Sequence, residues 1–455
     1  MKITVLGGSP KGQKSNTMQY MNYIMKHFPE NEYTIFNIGY ESDRLDTKPE
    51  FFKEVIDNIK NTDAIFWVYP IHYFLVPSRM KRFIELCFEN KATAAFKGKY
   101  ATAITTSMHF FDHTSLNYIH AISEDLGMSF VTPFSVMFNQ LTEFRTRKNL
   151  LLFAEDFFNH VRNKIPTPRE YTPVNHDVPK YSPSKVKESS KEKDYRILLL
   201  TDQKKGDVNL GRMVHTFVRS LDSEVEVVNL NEINLLGGCT NCLMCAYDGI
   251  CAYDDDMNHI YREKMLPADA IVYAGTIVDR YLSSRWKLFF DRFFVNAHRP
   301  TLTGKQGGFI VSGPLSQIPN LKQLFLCFGE TFGLNINGFV TDEEKDSTKV
   351  TALLEDLADR VITNLETGYS APPTFLGVGG HKILRDINFA ARFIFVENHK
   401  YYVEHNLFDF PHGQRKMRIM GRIIPPLMKI KGFRKKFQAG MNDNMIAPLI
   451  KALDE

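Results

Sequence analysis

Four of the six cysteines fall within thirteen residues, as Cys239-x2-Cys242-x2-Cys245-x5-Cys251. Three thiolates at three-residue steps, with a fourth close behind, can wrap a compact cube of iron and sulfide; the spacing is close to ferredoxin-type ligation. Structural zinc more often uses two separated C-x2-C knuckles. Free thiols or a reversible disulfide would need no more than the same residues. A [4Fe–4S] cluster is the first expectation, with zinc or no metal as the alternatives. In a chain of 455 residues, so tight a group favours a metal or redox site over a disulfide framework. Cys87 and Cys327 lie in apolar helical contexts and are expected in the core.

A second constellation opens the chain. Gly7-Gly8-Ser9-Pro10-Lys11-Gly12-Gln13-Lys14-Ser15-Asn16-Thr17 follows a strand-like run and leads into a helix. Unpaired backbone N–H groups and the helix dipole make such a turn a seat for phosphate. Ser9, Ser15, Asn16 and Thr17 could add hydrogen bonds. A Walker A loop needs Lys directly after its second glycine, where Gln13 stands here, and the glycines at 7, 8 and 12 do not make G-x-G-x-x-G. The loop suits a mononucleotide held by its phosphate.

Both constellations sit on a duplicated framework. Asp63-Ala64-Ile65 matches Asp269-Ala270-Ile271, and the same 206-residue offset pairs Ser78-Arg79 with Ser284-Arg285, Lys81 with Lys287 and Gly127 with Gly333. Near the start of each half the offset is about twelve residues shorter, and the difference is the stretch that carries the cysteines. Strands are expected at Lys2–Leu6, Tyr33–Ile38, Ala64–Tyr69, Tyr100–Thr105 and Ser129–Val136, with helices between them and a last helix at Leu150–Asn163. Alternation of this kind implies a parallel sheet covered on both faces. Four segments result: 1–165 and 195–367 as doubly wound α/β domains, 166–194 as a Pro-rich charged linker, and 368–455 as a mainly helical extension.

Composition excludes several classes. The chain is 44% hydrophobic and 24% charged, as soluble globular domains are. A net charge of +4 is too small to argue for nucleic acid. No apolar stretch reaches the roughly 18 residues that span a bilayer, and the N-terminus does not read as a secretory signal, so a cytoplasmic location is expected. From Thr367 onward, 14 Lys/Arg stand against 7 Asp/Glu, and Arg415 to Lys436 holds nine Lys/Arg and no acid. That stretch could be a membrane-surface or acidic-partner patch. A solvated basic helix or a packed arm is preferred, because Pro425-Pro426 interrupts a long amphipathic helix. A glycine turn at Gly377, Gly379 and Gly380 and an aromatic helix from Phe389 to Tyr402 are expected before it.

The sequence resembles the NADPH-dependent FMN reductases of flavodoxin-like fold, including the iron–sulfur flavoproteins. Gly8-Ser9-Pro10-Lys11 and Ser15-Asn16-Thr17 echo the family's phosphate loop. Tyr69-Pro70-Ile71-His72-Tyr73-Phe74, then Lys81 and Glu85, echo its aromatic loop and following helix. Thr105-Thr106-Ser107-Met108-His109 matches the third loop, and Asp255-Asp256-Met257 follows Cys251 as in the iron–sulfur members. The resemblance covers both repeats and not the tail. It implies two tandem flavodoxin-like five-stranded parallel-sheet domains and FMN as cofactor. Ser9, Lys11, Ser15, Asn16 and Thr17 would hold its phosphate, and Pro70, Ile71, His72, Tyr73, Phe74, Thr106, Ser107, Met108 and His109 would border its ring.

NAD(P)H is then the implied electron donor, and a small molecule or protein the acceptor. The alternative is a non-enzymatic electron carrier docking to acidic redox proteins. The repeats would form an internal pseudo-dimer, with a homodimer left open. No nucleophile–base pair is required and none is named as catalytic. In the second repeat, Thr201 to Asn209 lacks Gly-Ser-Pro and places Asp202 and Asp207 against a phosphate, so weak or no FMN binding is expected there.

Overall fold

The computed structural model describes residues 1–40, 44–183, 186, 189–411 and 415–453. Two parallel sheets carry residues 1–400. The first comprises β1 (Lys2–Gly7), β2 (Glu32–Phe36), β3 (Ala64–Pro70), β4 (Tyr100–Ser107), β5 (Ser129–Phe130) and β6 (Phe134–Met137). Its order is β2-β1-β3-β4-β5, with β6 also pairing β4. The second comprises β7 (Lys193–Thr201), β8 (Ser223–Asn229), β9 (Ala270–Thr276), β10 (Gln306–Ser312) and β11 (Asn335–Thr341), ordered β8-β7-β9-β10-β11. Both sheets therefore follow the 2-1-3-4-5 winding of flavodoxin-like folds, with the ligand-bearing crevice at the carboxyl ends of the strands.

Strand alternation divides the core. Ala64, Phe66 and Val68 face one side of the first sheet, where Phe157 and Phe158 cover them, while Ile65, Trp67 and Tyr69 face the other. At the 206-residue offset, Ile271 and Tyr273 repeat this inner face, and Ala270, Val272 and Ala274 face outward. The two inner faces belong to one continuous apolar cluster, so the halves share a core. Helix Ser78–Glu89 packs on helix Ser284–Arg292 across the same junction.

Local departures from expectation have simple causes. The fifth strand is broken at Val131 to Pro133, because proline offers no N–H to the ladder. Gly377 and Gly380 lie inside helix Phe375–Ala390, not in a turn. They give the face by which this helix approaches Pro319–Phe332: a Cβ at Gly380 would stand 2.6 Å from Thr331 Oγ1. Phe389 to Tyr402 is likewise not one helix, since Phe375–Ala390 ends before Val396–Glu404 begins. The stretch from 166 to 192 has no helix or strand in its described residues, yet it is pinned. Tyr181 is buried and its hydroxyl meets Thr351 Oγ1 at 2.9 Å and Thr216 Oγ1 at 3.1 Å. Glu124 accepts the N–H groups of Glu170 and Tyr171 at 2.8 and 2.9 Å.

Residues Tyr401–Glu455 form a separate compact unit. It contains helices Arg415–Met428, Lys431–Ala439 and Met441–Leu453. Among the described residues, no helix is long and apolar enough to cross a membrane.

Candidate functional site

Three loops meet at the carboxyl ends of β1, β3 and β4. The first, after β1, is built for close backbone approach. A Cβ on Gly8 would lie 2.6 Å from the Met80 methyl, and one on Gly39 would lie 2.1 Å from the Gly8 carbonyl oxygen. Gly12–Lys14 makes a single 3-10 turn, and Ser15 then caps helix Asn16–His27 by accepting the Met18 N–H at 3.1 Å. Helix geometry gives the N–H groups of Asn16 and Thr17 no acceptor within the helix. Ser9 is buried and accepts the Lys11 N–H at 3.2 Å; Lys11 and Asn16 are exposed. Thr17 turns inward, its hydroxyl 2.5 Å from that of Thr106 at the end of β4. Those two residues thus hold each other and tie the first loop to the third.

The second loop leaves β3 at Pro70. Ile71 donates its N–H to Thr106 at 3.0 Å, and His72 and Leu75 exchange two backbone bonds at 3.0 and 3.1 Å. Tyr73 and Phe74, between them, both have positive φ (38° and 66°). Such a turn normally uses Asn or Gly, so the two aromatic residues carry backbone strain. Their rings explain why it is tolerated. Phe74 packs on Phe110 and Phe111. Tyr73 stacks on Phe332 and donates its hydroxyl to the Phe293 carbonyl at 3.0 Å, deep in the second half. The rings of Tyr69, Tyr73 and Phe74 therefore point into the core, leaving backbone at this edge of the cradle.

His72 is half-buried, yet both ring nitrogens are shielded and have no hydrogen-bond partner among the described residues. Burial pushes its imidazole down to about 4 against the opposing pull of Asp291, with Lys287 and Lys11 adding to the depression. In the third loop Ser107 accepts the His109 N–H at 2.9 Å, and exposed His109 sets Nδ1 3.0 Å from Asp112, which is itself held by Ser135 at 2.6 Å. Met108 is half-buried, and Thr105 keeps a buried hydroxyl without a partner among the described residues.

The corresponding loop of the second sheet is closed inward. Asp202 is buried, accepts from Ser283 Oγ, and is raised to about 6 by burial. Asp207 accepts the Lys204 N–H at 2.8 Å.

The four cysteines line one cavity of about 20 Å³, with Tyr253, Arg292, Phe294 and Val295 among the other residues of its wall. None of the six cysteines is disulfide-bonded. Cys242 is exposed, while Cys245 is buried and donates to the Phe294 carbonyl at 3.2 Å. Asn241 and Leu243 have φ of 53° and 63°, and Asn241 points its N–H at Cys239 Sγ, 3.3 Å away. Left-handed residues in a turn gather backbone N–H groups into an anion-holding concavity, as at many iron–sulfur sites. Burial raises the Cys239 thiol well above its usual range and Cys245 to about 12, with the neighbouring thiolates adding to the rise. Among the described residues, no three His, Cys, Asp or Glu side chains close round a single point to hold one metal ion.

Arg292, missed from the sequence, is fully buried here. It makes a two-pronged pair with Asp255 at 2.7 Å on each side and donates to Cys251 Sγ at 3.3 Å. The repeat held the signal: 206 residues earlier stands Leu86, so a leucine position has become a buried cation.

A doubly wound parallel sheet with a glycine-rich loop after its first strand, beside the strand-order switch point, is the flavodoxin-like arrangement. The sequence profile of NADPH-dependent FMN reductase matches residues 1–143 and 196–344, so the chain belongs to that family, twice over. An iron-sulfur flavoprotein of Archaeoglobus fulgidus is 33% identical over 106 residues, 23% of this chain; the chain spans 47% of that relative's length. Solved structures include the flavoenzyme NAD(P)H:(acceptor) oxidoreductase FerB of Paracoccus denitrificans, with TM-score 0.30 and 19% identity over 36% of this chain and 97% of that one. An FMN-dependent NADH-azoreductase of Bacillus anthracis gives TM-score 0.28 and 14% identity over 36% and 99%.

Proposed function

We propose that this chain is an FMN-dependent oxidoreductase that takes electrons from NAD(P)H and passes them, through flavin and a cysteine-held iron–sulfur cluster, to a small-molecule or protein acceptor. The observation that carries the reading is the turn at Tyr73. Two residues earlier, Ile71 donates to Thr106, which also meets Thr17 of the first loop, while the Tyr73 hydroxyl meets the Phe293 carbonyl, beside the Phe294 wall of the four-cysteine cavity.

In this reading the N–H groups of Asn16 and Thr17 and the Lys11 ammonium receive the FMN phosphate. The backbone of Pro70, Ile71, His72, Tyr73 and Phe74 borders one edge of the ring, and Thr106, Ser107, Met108 and His109 border another. Asp112 orients His109, and the His72 imidazole is held neutral by burial, within the electrostatic reach of Asp291 and Lys11. The loop at Asp202 takes no phosphate, so one flavin is held per chain. Bound FMN supplies hydride acceptance and release of electrons singly, and a [4Fe–4S] cluster supplies one-electron exchange.

Cys239, Cys242, Cys245 and Cys251 would hold the cluster. Support comes from the N–H aimed at Cys239, the left-handed turns and the Arg292 contact to Cys251. Thiolates round one zinc ion must approach to about 3.8 Å of each other, given Zn–S bonds of about 2.3 Å. Four thiols spread along a shared cavity wall suit a larger group better. A space of about 20 Å³ holds about one water, so a cluster would displace the outer wall, where Cys242 is exposed.

The test is an ultraviolet–visible spectrum of anaerobically purified protein before and after dithionite, followed by NADH and NADPH oxidation with a quinone or dye. Flavin bands on a brown background that bleaches, with turnover, are expected. Flavin bands alone would overturn the cluster. Both cofactors without turnover would point to an electron carrier, and colourless protein after FMN reconstitution would overturn the whole reading.

A further inference from the structure

None of the residues assigned above lies in the unit Tyr401–Glu455, whose surface is unlike that of a self-contained helical domain. Pro425 and Pro426 lie in the last turn of helix Arg415–Met428, so they end an amphipathic helix without preventing it. At helical spacing, Arg418 and Arg422 fall on one side, and Ile419, Met420, Ile423, Ile424 and Leu427 sweep the opposite arc. Ile419 and Ile423 are 56% and 52% exposed. Helix Lys431–Ala439 buries none of its residues. On helix Met441–Leu453, Met445, Ile446, Leu449, Ile450 and Leu453 are exposed.

The first and third of these helices thus present aliphatic and thioether side chains to water, and the middle one adds half-buried Phe433 and Phe437, which favours any surface that removes them from it. The same region is strongly cationic, with nine Lys/Arg and no acid between Arg415 and Lys436. We propose that this unit lies on an anionic lipid surface, its apolar arcs in the headgroup–acyl boundary and its Lys and Arg among the phosphates. Apolar burial and a polybasic patch are the two signals that stable peripheral attachment needs together. None of these helices is long and apolar enough to span a bilayer, so the unit lies on the surface without crossing. An acidic protein would answer the charges, but it would have to match the apolar faces of two short helices by shape. A bilayer accepts them in any register.

The experiment is co-sedimentation of the full chain with phosphatidylcholine vesicles, with and without phosphatidylserine, at low and high salt. Sedimentation with the serine-containing vesicles alone, weakening as salt rises, is expected. Replacing Arg434→Ala, Lys435→Ala and Lys436→Ala together should lower partitioning on the order of a hundredfold, about fivefold per cation. Ile423→Asn with Leu449→Asn should lower it at unchanged charge. Both sites are exposed, and an unaltered thermal unfolding curve confirms that each variant is folded. No sedimentation with either vesicle overturns the proposal. Charge-dependent binding indifferent to Ile423→Asn with Leu449→Asn also overturns it, and turns attention to an acidic protein partner. None of these readouts depends on flavin or iron.

Discussion

Glu85 accepts the backbone N–H of Ser284 at 2.5 Å, and 206 residues further on Asp291 accepts that of Ser78 at 2.8 Å. Each acid lies on one helix and caps the N-terminus of the other, where N–H groups lack intrahelical acceptors and the dipole favours negative charge. Each also holds the lysine one turn earlier, Lys81 for Glu85 and Lys287 for Asp291. The exchange is reciprocal but not identical. Lys81 gains a second carboxylate, Asp279, at 3.0 Å, whereas Lys287 donates to the His72 carbonyl at 3.0 Å. A helix of the second half thereby holds the loop that follows β3 of the first.

These charges are buried, so their value shows when one is removed. Burial disfavours the Lys81 ammonium, but Asp279 and Glu85 outweigh it and keep its pKa above the usual lysine range. Lys81→Met would leave buried Asp279 without its cation and Glu85 with only the half-buried Arg82 at 3.2 Å, at a cost of about 3–5 kcal/mol. Urea unfolding should show this, and Lys81→Met combined with Asp279→Leu should cost less than Lys81→Met alone. A single variant within 1 kcal/mol of the parent would mean that the buried ions are idle in stability.

Ser9 is the residue at which the phosphate assignment is most exposed to test. It lies at the tightest point of the first loop, between Gly8 and a bond to the Lys11 N–H. A carboxylate in Ser9→Asp should repel a phosphate and reduce FMN affinity by at least about a hundredfold, about 2.7 kcal/mol. Fluorescence titration of apoprotein with FMN measures it, with thermal unfolding as a check on the fold. Unchanged affinity would move the phosphate elsewhere.

Much of the scaffold is legible in the sequence because duplication writes the same pattern twice. Ile65 and Trp67 face the shared core, as do Ile271 and Tyr273 at the common offset. The direction of side chains in strained turns is not legible. Nothing in Tyr73-Phe74 announces two left-handed residues, so side chains expected to border a flavin ring are drawn into Phe332, Phe110 and Phe111 instead. Thr17 and Thr106 read as separate donors, and their mutual bond needs the third dimension. Arg292 could have been found, since a repeat that replaces Leu86 by arginine must find that charge a buried partner.

The cysteine loop offers a separable test. Cys242 lies on the exposed edge of its cavity and is not among the residues proposed to hold FMN, and Ser in its place keeps nearly the same volume. Cys242→Ser should lose most of the iron and leave flavin content within about 10–20% of the parent. Colorimetric iron and acid-released flavin, measured on one preparation, decide it. Unchanged iron would remove Cys242 from the ligand set, and loss of both cofactors would mean that the two sites fold as one.

Acid stability turns on three buried groups that pull in opposite directions. Burial lowers both His72 and His298 to about 4, the latter beside Asn388. An unfolded histidine titrates near 6.5, so between about 6.5 and 4 the unfolded chain binds protons that the folded chain refuses. Stability therefore falls as pH falls through that window, by about 1–2 kcal/mol per histidine between pH 7 and pH 5. Asp202 works the other way. Its folded value of about 6 exceeds the unfolded carboxyl value, so the folded chain binds the extra proton and gains stability on the acid side, which is lost as pH rises through 6. That gain offsets roughly one histidine at pH 5, about 1 kcal/mol. Urea unfolding at pH 7, 6 and 5 should show a net loss of about 2 kcal/mol for the parent and a steeper one for Asp202→Asn. His298→Phe should flatten the profile. An Asp202→Asn slope equal to the parent's would mean that Asp202 is ionised in the folded chain, and its closure against Ser283 would then have to be a charged contact.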